Sequence, residues 1–181
     1  DSLFVNDPRI AVAALLEPAR AVGGDYYECF AIDERHVCFA IGDVTGKGVP
    51  ASLFMTIAKT LTGAMVRRVS NLGEALRQAE VELSRHNPEM LFVTTFVAVL
   101  DLDSGEIACV CAGHDAPILK RGRELLRLDL GSDSGPPVGA CGNYPFVAAR
   151  RQLEPGDLVC LFTDGVTEAQ DGKRFYGGLR L

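Results

Sequence analysis

The chain has 181 residues, 48% of them apolar, with 24 acidic against 18 basic side chains and a net charge of −6. That is enough apolar material for one sizeable core, which excludes a disordered chain. The acidic balance, without a basic stripe, argues against a nucleic-acid-binding face. The six cysteines, Cys29, Cys38, Cys109, Cys111, Cys141 and Cys160, fall mostly in apolar, strand-like runs. They form no C-x-x-C pair, so they read as reduced core thiols rather than a disulfide framework. The longest apolar runs, such as Ile10 to Leu16, are far shorter than the roughly 20 residues that span a bilayer, and no signal peptide is visible. A cytoplasmic setting without membrane insertion is expected, and anchoring of a parent protein through regions outside this chain stays open.

In chain order, Ile10 to Leu16 and His36 to Ile41 read as buried strands joined by the turn-prone Asp33-Glu34-Arg35. Pro50 suits a first helical turn, and Leu53, Ile57, Leu61 and Met65 recur at i+4 beside Phe54 and Ala58. This pattern predicts a helix from about Pro50 to Arg68, closed by Arg67 and Arg68 at the negative end of its dipole. Asn71 caps a second helix, with Glu74 at the third position, which runs through Leu72, Ala75, Leu76, Ala79 and Leu83 and stops before Pro88. Val93 to Leu102 and Glu106 to Ala112 form an antiparallel hairpin around Asp103-Ser104-Gly105. Pro117 to Lys120 and Leu125 to Leu130 are further short strands, and Gly131 to Asn143 is a surface loop. Val147 to Leu153 and Leu158 to Phe162 close the series across the turn Glu154-Pro155-Gly156-Asp157. Strands on both sides of one block of two helices predict an α+β fold with mostly antiparallel sheets.

Three segments carry chemistry: Gly23-Gly24-Asp25-Tyr26, Gly42-Asp43-Val44-Thr45-Gly46-Lys47-Gly48 and Thr163-Asp164-Gly165-Val166. Each puts an aspartate where a strand-like run meets glycine, so its carboxylate projects with little bulk around it. Oxygen ligands drawn from distant parts of a chain suit Mg²⁺ or Mn²⁺, whereas zinc calls for Cys and His clusters. Any one of these aspartates alone reads more readily as a turn residue. Three together favour a cation, since clustered carboxylates without one repel each other. The loop from Gly42 to Gly48 is not a P-loop, because three residues rather than four separate Gly42 from Gly46, and Gly48 follows Lys47 where Ser or Thr is needed. His114, at a strand end in Ala112-Gly113-His114-Asp115, is a candidate for touching substrate or orienting a water, against a structural role. His36 and His86 receive no role.

The same segments, with Pro18 to Tyr27, Phe92-Val93-Thr94-Thr95, Ala112-Gly113-His114 and Phe162 to Glu168, resemble the PPM family of metal-dependent serine/threonine phosphatases, in its bacterial SpoIIE/RsbU-type branch. The resemblance covers nearly the whole chain and implies an α-β-β-α four-layer sandwich with a two-metal centre between the sheets. By that likeness Asp25, Asp43 and Asp164 supply carboxylates to two Mg²⁺ or Mn²⁺ ions, with Asp43 bridging, and Val44 offers its backbone carbonyl. An activated water then hydrolyses phosphoserine or phosphothreonine without a covalent intermediate. Arg20, five residues before Asp25, matches the offset of a phosphate-gripping arginine in eukaryotic relatives, while Thr45 stands where those relatives carry a proposed general-acid histidine.

The resemblance further implies that residues 1–181 are a single domain without the usual final helix and strand, whose Asp-Asp-x-Thr-like motif completes the metal site. It implies a bacterial regulatory protein as substrate, an anti-sigma-factor antagonist of the STAS-domain type, with dimerisation through regions outside the chain left open. The alternative is a catalytically weak phosphatase-like binding domain.

Overall fold

The computed structural model describes residues 7–17, 23–85, 87–128, 130, 134–171 and 174–177. Arg20, His86 and part of the expected loop from Gly131 to Asn143 lie outside these. In chain order the elements are β1 (Tyr26–Ala31), β2 (His36–Val44), α1 (Val49–Arg68), α2 (Leu72–Arg85), β3 (Val93–Asp101), β4 (Glu106–Ala112), β5 (Ile118–Arg121), β6 (Glu124–Arg127), β7 (Ala149–Gln152), β8 (Leu158–Cys160) and the single turn α3 (Asp164–Thr167). A two-residue pair, β9 (Gln170–Asp171) and β10 (Arg174–Phe175), follows. Five strands form one antiparallel sheet in the order β1-β2-β3-β4-β7, and β6-β5-β8 form a second antiparallel sheet.

The strand period of two sorts the core into two layers. Val97 and Val110 face the helices, where they meet Tyr26, Phe30, Phe54, Ala58, Leu72 and Leu76. Their neighbours Phe96, Cys109 and Cys111 face the second sheet and meet Leu119, Leu128 and Val159. The result is a helix layer on a sheet on a sheet, an α+β sandwich. On the far face of the second sheet Leu125 and Leu158 both flank Lys120 and stay 62% and 55% exposed. Among the described residues no helix covers that face.

Both long helices form as their local chemistry predicts. The Glu74 N–H donates to Asn71 Oδ1 at 3.0 Å, and α2 buries Leu72, Ala75, Leu76, Ala79 and Leu83. The Glu74 carboxylate forks onto Arg77 instead of turning back to the cap. Helix α1 starts with Pro50 in its first turn and ends on Arg67 and Arg68, with Arg67 lying over the Phe30 ring at 3.5 Å.

Its orientation departs from expectation. The buried row is Ala51, Phe54, Ala58, Thr62 and Val66, whereas Leu53 and Ile57 are exposed. Small residues let the helix lie close on the sheet, and a Cβ at Gly63 would stand 2.9 Å from Glu28 Oε2. By length and composition α1 is also apolar enough to cross a membrane, which short apolar runs did not foretell. It packs on β1 and β2 as a core helix does.

Two further expectations are corrected. Ile10 to Leu16 is not a strand: its residues from Ala11 on are exposed, and the edge of the first sheet is taken by Tyr26–Ala31, which buries Tyr26 and Phe30. A short apolar run is not by itself a buried strand; here the better-anchored aromatic segment won the place. All six cysteines are free, but only Cys38, Cys109 and Cys111 are buried, while Cys141 and Cys160 are exposed.

Candidate active site

The glycines beside the aspartates have a steric reason. Gly42 pairs with Tyr26 in the ladder, and a Cβ there would lie 2.6 Å from the Tyr26 ring and 2.8 Å from the Thr94 carbonyl oxygen. The ring thus covers the strand just before Asp43. Thr95 Oγ1 donates to the Ile41 carbonyl at 2.7 Å, so the Tyr26 hydroxyl donates to Thr95 Oγ1 at 3.0 Å. Burial pushes the Tyr26 phenol up to about 12. Gly24 meets the end of β2 in the same way: a Cβ would stand 2.8 Å from the Val44 carbonyl oxygen, and the Val44 N–H donates to the Gly24 carbonyl at 3.4 Å. Ser52, in the first turn of α1, donates to the Gly23 carbonyl at 2.9 Å and pins this turn from the other side.

These contacts bring three distant carboxylates to one end of the sandwich. Asp25 precedes β1, Asp43 is the penultimate residue of β2 opposite Thr94, and Asp164 opens α3. Thr163 Oγ1 donates to Asp25 Oδ2 at 3.2 Å, which ties the first and third segments. A cleft of about 270 Å³ is lined by Asp43, Thr94, Gly113, His114, Asp115 and Asp164. Among the described residues no lysine or arginine lines it.

The electrostatics follow from the crowding. The Asp43 carboxyl is pushed up to about 7, mainly by burial, then by its hydrogen bond to Asp25 and by the charges of Asp25, Asp164 and Glu168. A carboxyl so placed holds a proton because anionic neighbours surround it, and a cation would relieve the same repulsion. Among the described residues no group of three or more His, Cys, Asp or Glu side chains is placed to hold a metal ion by itself. All-oxygen donors in an open cleft fit Mg²⁺ or Mn²⁺, which keep several waters, better than they fit zinc.

The remaining sequence candidates divide. His114 lines the cleft, held there because Gly113 turns the chain at φ 67° against Pro137. Both its ring nitrogens are engaged, Nδ1 with Thr94 Oγ1 at 3.1 Å and Nε2 with the Phe162 carbonyl at 3.0 Å. Burial draws its pKa down. Thr45 does not face a reacting group. Its N–H and its hydroxyl donate to the Phe92 carbonyl at 3.0 and 3.2 Å, and Phe92 N–H donates back to its Oγ1. Lys47 is exposed, and Arg20 lies outside the described residues. Sequence reasoning gave no role to Thr94, Thr163, Ser52 or Glu168. Thr94 and Thr95 were the readable signal, two hydroxyls in an apolar strand that point to opposite faces.

The α+β fold and this carboxylate cluster agree with one family. The chain belongs to the Stage II sporulation protein E (SpoIIE) family, whose family model matches residues 33–181. It is 30% identical to Protein IcfG of Synechocystis over 94% of this chain and 31% of that protein. It is 29% identical to the phosphoserine phosphatase RsbU of Bacillus subtilis over 94% of this chain and 50% of RsbU. The chain therefore spans half or less of these relatives. Among solved structures, the RsbU and RsbW domains of Rv1364c from Mycobacterium tuberculosis align with a TM-score of 0.72 at 27% identity, over 87% of this chain and 44% of that one. The PP2C phosphatase domain of SpoIIE from Bacillus subtilis shares the fold, with a TM-score of 0.71 at 22% identity, over 81% of this chain and 43% of that one.

Proposed function

We propose that this chain is a metal-dependent protein phosphatase that hydrolyses phosphoserine or phosphothreonine on a regulatory protein. The observation that carries the reading is that Asp43 and Asp164, from segments far apart along the chain, line one cleft, with Asp25 bonded to Asp43 and to Thr163, in a chain of the SpoIIE family. Asp25, Asp43, Asp164 and the Val44 carbonyl are the proposed metal ligands, with two Mg²⁺ or Mn²⁺ ions expected. Such ions lower the pKa of a bound water and offset charge on the phosphoryl oxygens.

The chain's own residues set the stage. Thr163 orients Asp25 through its hydroxyl, and Tyr26 holds the strand beneath Asp43. The cleft is anionic, so a phosphate dianion is repelled unless cations neutralise it, which supports metal dependence over direct binding by the protein. With Thr45 locked onto Phe92, protonation of the leaving group falls to water. Arg20 is a proposed phosphate contact by its offset from Asp25.

A STAS-type anti-sigma-factor antagonist is the proposed substrate, on the strength of the likeness to RsbU, and a cytoplasmic site of action goes with it. Phosphate release from a serine-phosphorylated STAS protein, a phosphothreonine peptide and a phosphotyrosine peptide tests the substrate class. Turnover of the first two with little of the third is expected. Equal turnover of all three removes the serine/threonine assignment, and binding of the STAS protein without release favours a binding module.

A further inference from the structure

We propose that His114 is a positioning residue, a crossbar that fixes the distance between the Asp43 strand and the Asp164 turn and thereby sets the affinity of the site for its cation. The proposal rests on the metal-site reading above and deepens it.

The geometry carries it. A carbonyl oxygen can only accept, so the hydrogen on Nε2 points to Phe162 O, 3.0 Å away. In the neutral ring Nδ1 is then the acceptor, and the Thr94 hydroxyl, 3.1 Å away, donates to it. Neutrality agrees with the half-buried setting, where desolvation disfavours the charged ring. Both polar atoms are therefore spent inside the protein. A histidine in this state offers no lone pair to a metal and no proton to a leaving group, although its ring lines the cleft.

Each partner of the ring stands beside a carboxylate-bearing residue, in the ladder or along the chain. Thr94 is the ladder partner of Asp43, and its Oγ1 lies 3.3 Å from the Asp43 carbonyl oxygen. Phe162 is two residues before Asp164, and between them Thr163 holds Asp25. The ring thus spans from β3, in the five-stranded sheet, to the segment that leaves β8 in the three-stranded sheet. Its own backbone is anchored too, since Cys111 Sγ lies 2.9 Å from the His114 carbonyl oxygen. A rigid aromatic ring between two sheets keeps the mutually repelling carboxylates from spreading apart. A cation site built on them is correspondingly better preorganised.

The test is calorimetric titration of Mn²⁺ into wild type, His114→Ala, His114→Gln and His114→Asn, with folding checked by circular dichroism and thermal unfolding. Gln can keep the bond to Phe162 and Asn the bond to Thr94, so each retains half of the crossbar. The expected result is Mn²⁺ affinity at least tenfold weaker in the Ala variant and intermediate in the other two. At saturating Mn²⁺, kcat on an aryl phosphate should return to within about threefold of wild type, because both ring nitrogens are engaged inside the protein and neither is free to act on substrate. Should the Ala variant fail to fold, the Gln and Asn variants carry the comparison. Affinities within twofold of wild type in all folded variants overturn the crossbar alone. So does a fall in kcat that no Mn²⁺ concentration restores, which marks a group acting on substrate. A wild-type protein that takes up no Mn²⁺ overturns the metal-site reading itself, and the crossbar with it.

Discussion

Replacing Asp43 with Asn should destroy function and stabilise the metal-free protein at once. Asn is close in shape to a protonated carboxyl and can still donate to Asp25, but it never carries charge. In the folded, metal-free chain Asp43 titrates at about 7 instead of the ordinary 3.8. Between those values the folded state holds a proton that the unfolded chain has released, so stability falls as pH rises through the window. A displacement of that size is worth about 4 kcal/mol for a fully shielded group. This residue is only partly buried, which leaves on the order of 1–2 kcal/mol after screening. In chelator at pH 8, Asp43→Asn should therefore melt about 3–6 °C above wild type for a chain of this size, while at pH 4 the two should nearly coincide. Added Mn²⁺ should raise the wild-type Tm and leave that of the variant almost unchanged. Thermal unfolding at both pH values, with chelator and with Mn²⁺, reads all of this. A variant no more stable than wild type at pH 8, or a difference that does not depend on pH, would refute the electrostatic reasoning.

Three other outcomes follow from packing and hydrogen bonds of the scaffold. Glu80, fully buried, accepts from the N–H groups of Cys141, Gly142 and Tyr144. Glu80→Gln turns an amide N–H₂ onto one of these donors, at a cost of about 1–3 kcal/mol, and urea unfolding together with faster amide exchange at residues 141–144 checks it. Gly42→Ala forces a methyl into the Tyr26 ring and the Thr94 carbonyl, for a loss of about 1–3 kcal/mol and weaker Mn²⁺ binding beside it, measured by chemical denaturation and calorimetry. Asn71→Ala removes the cap on Glu74 N–H, and a loss of about 1 kcal/mol in urea unfolding is expected, with phosphatase turnover unchanged.

The parts legible in the sequence were those written in local chemistry. Pro50 and Asn71 marked helix starts, the spacing of Val93 to Ala112 around its turn gave a hairpin whose faces divide two cores, and two of the aspartates beside glycine, Asp43 and Asp164, stand on the cleft. The parts that were not legible depend on contacts between segments far apart in the chain. Nothing local says that Tyr26–Ala31 rather than Ile10 to Leu16 takes the edge beside β2, since that choice is made by Tyr26 reaching Thr95, 69 residues on. Nor does the i+4 row of Leu53 and Ile57 reveal that α1 turns its smaller residues to the sheet, because the space beneath is set by Glu28 and Phe30. The sequence left His114 between a role on substrate and a structural one, because its partners, Thr94 and Phe162, lie 20 and 48 residues away.

The central claim is that carboxylates around Asp43 hold the cations on which phosphate hydrolysis depends. Its most direct test is turnover of a phosphoserine protein by wild type and Asp43→Asn, first in chelator and then with Mn²⁺ or Mg²⁺ restored. Hydrolysis should be absent in chelator, return with either metal in wild type, and stay below about a tenth of wild type in the variant, a loss of more than about 1.4 kcal/mol in transition-state stabilisation. Hydrolysis that survives the chelator, or a variant as active as wild type, would contradict it.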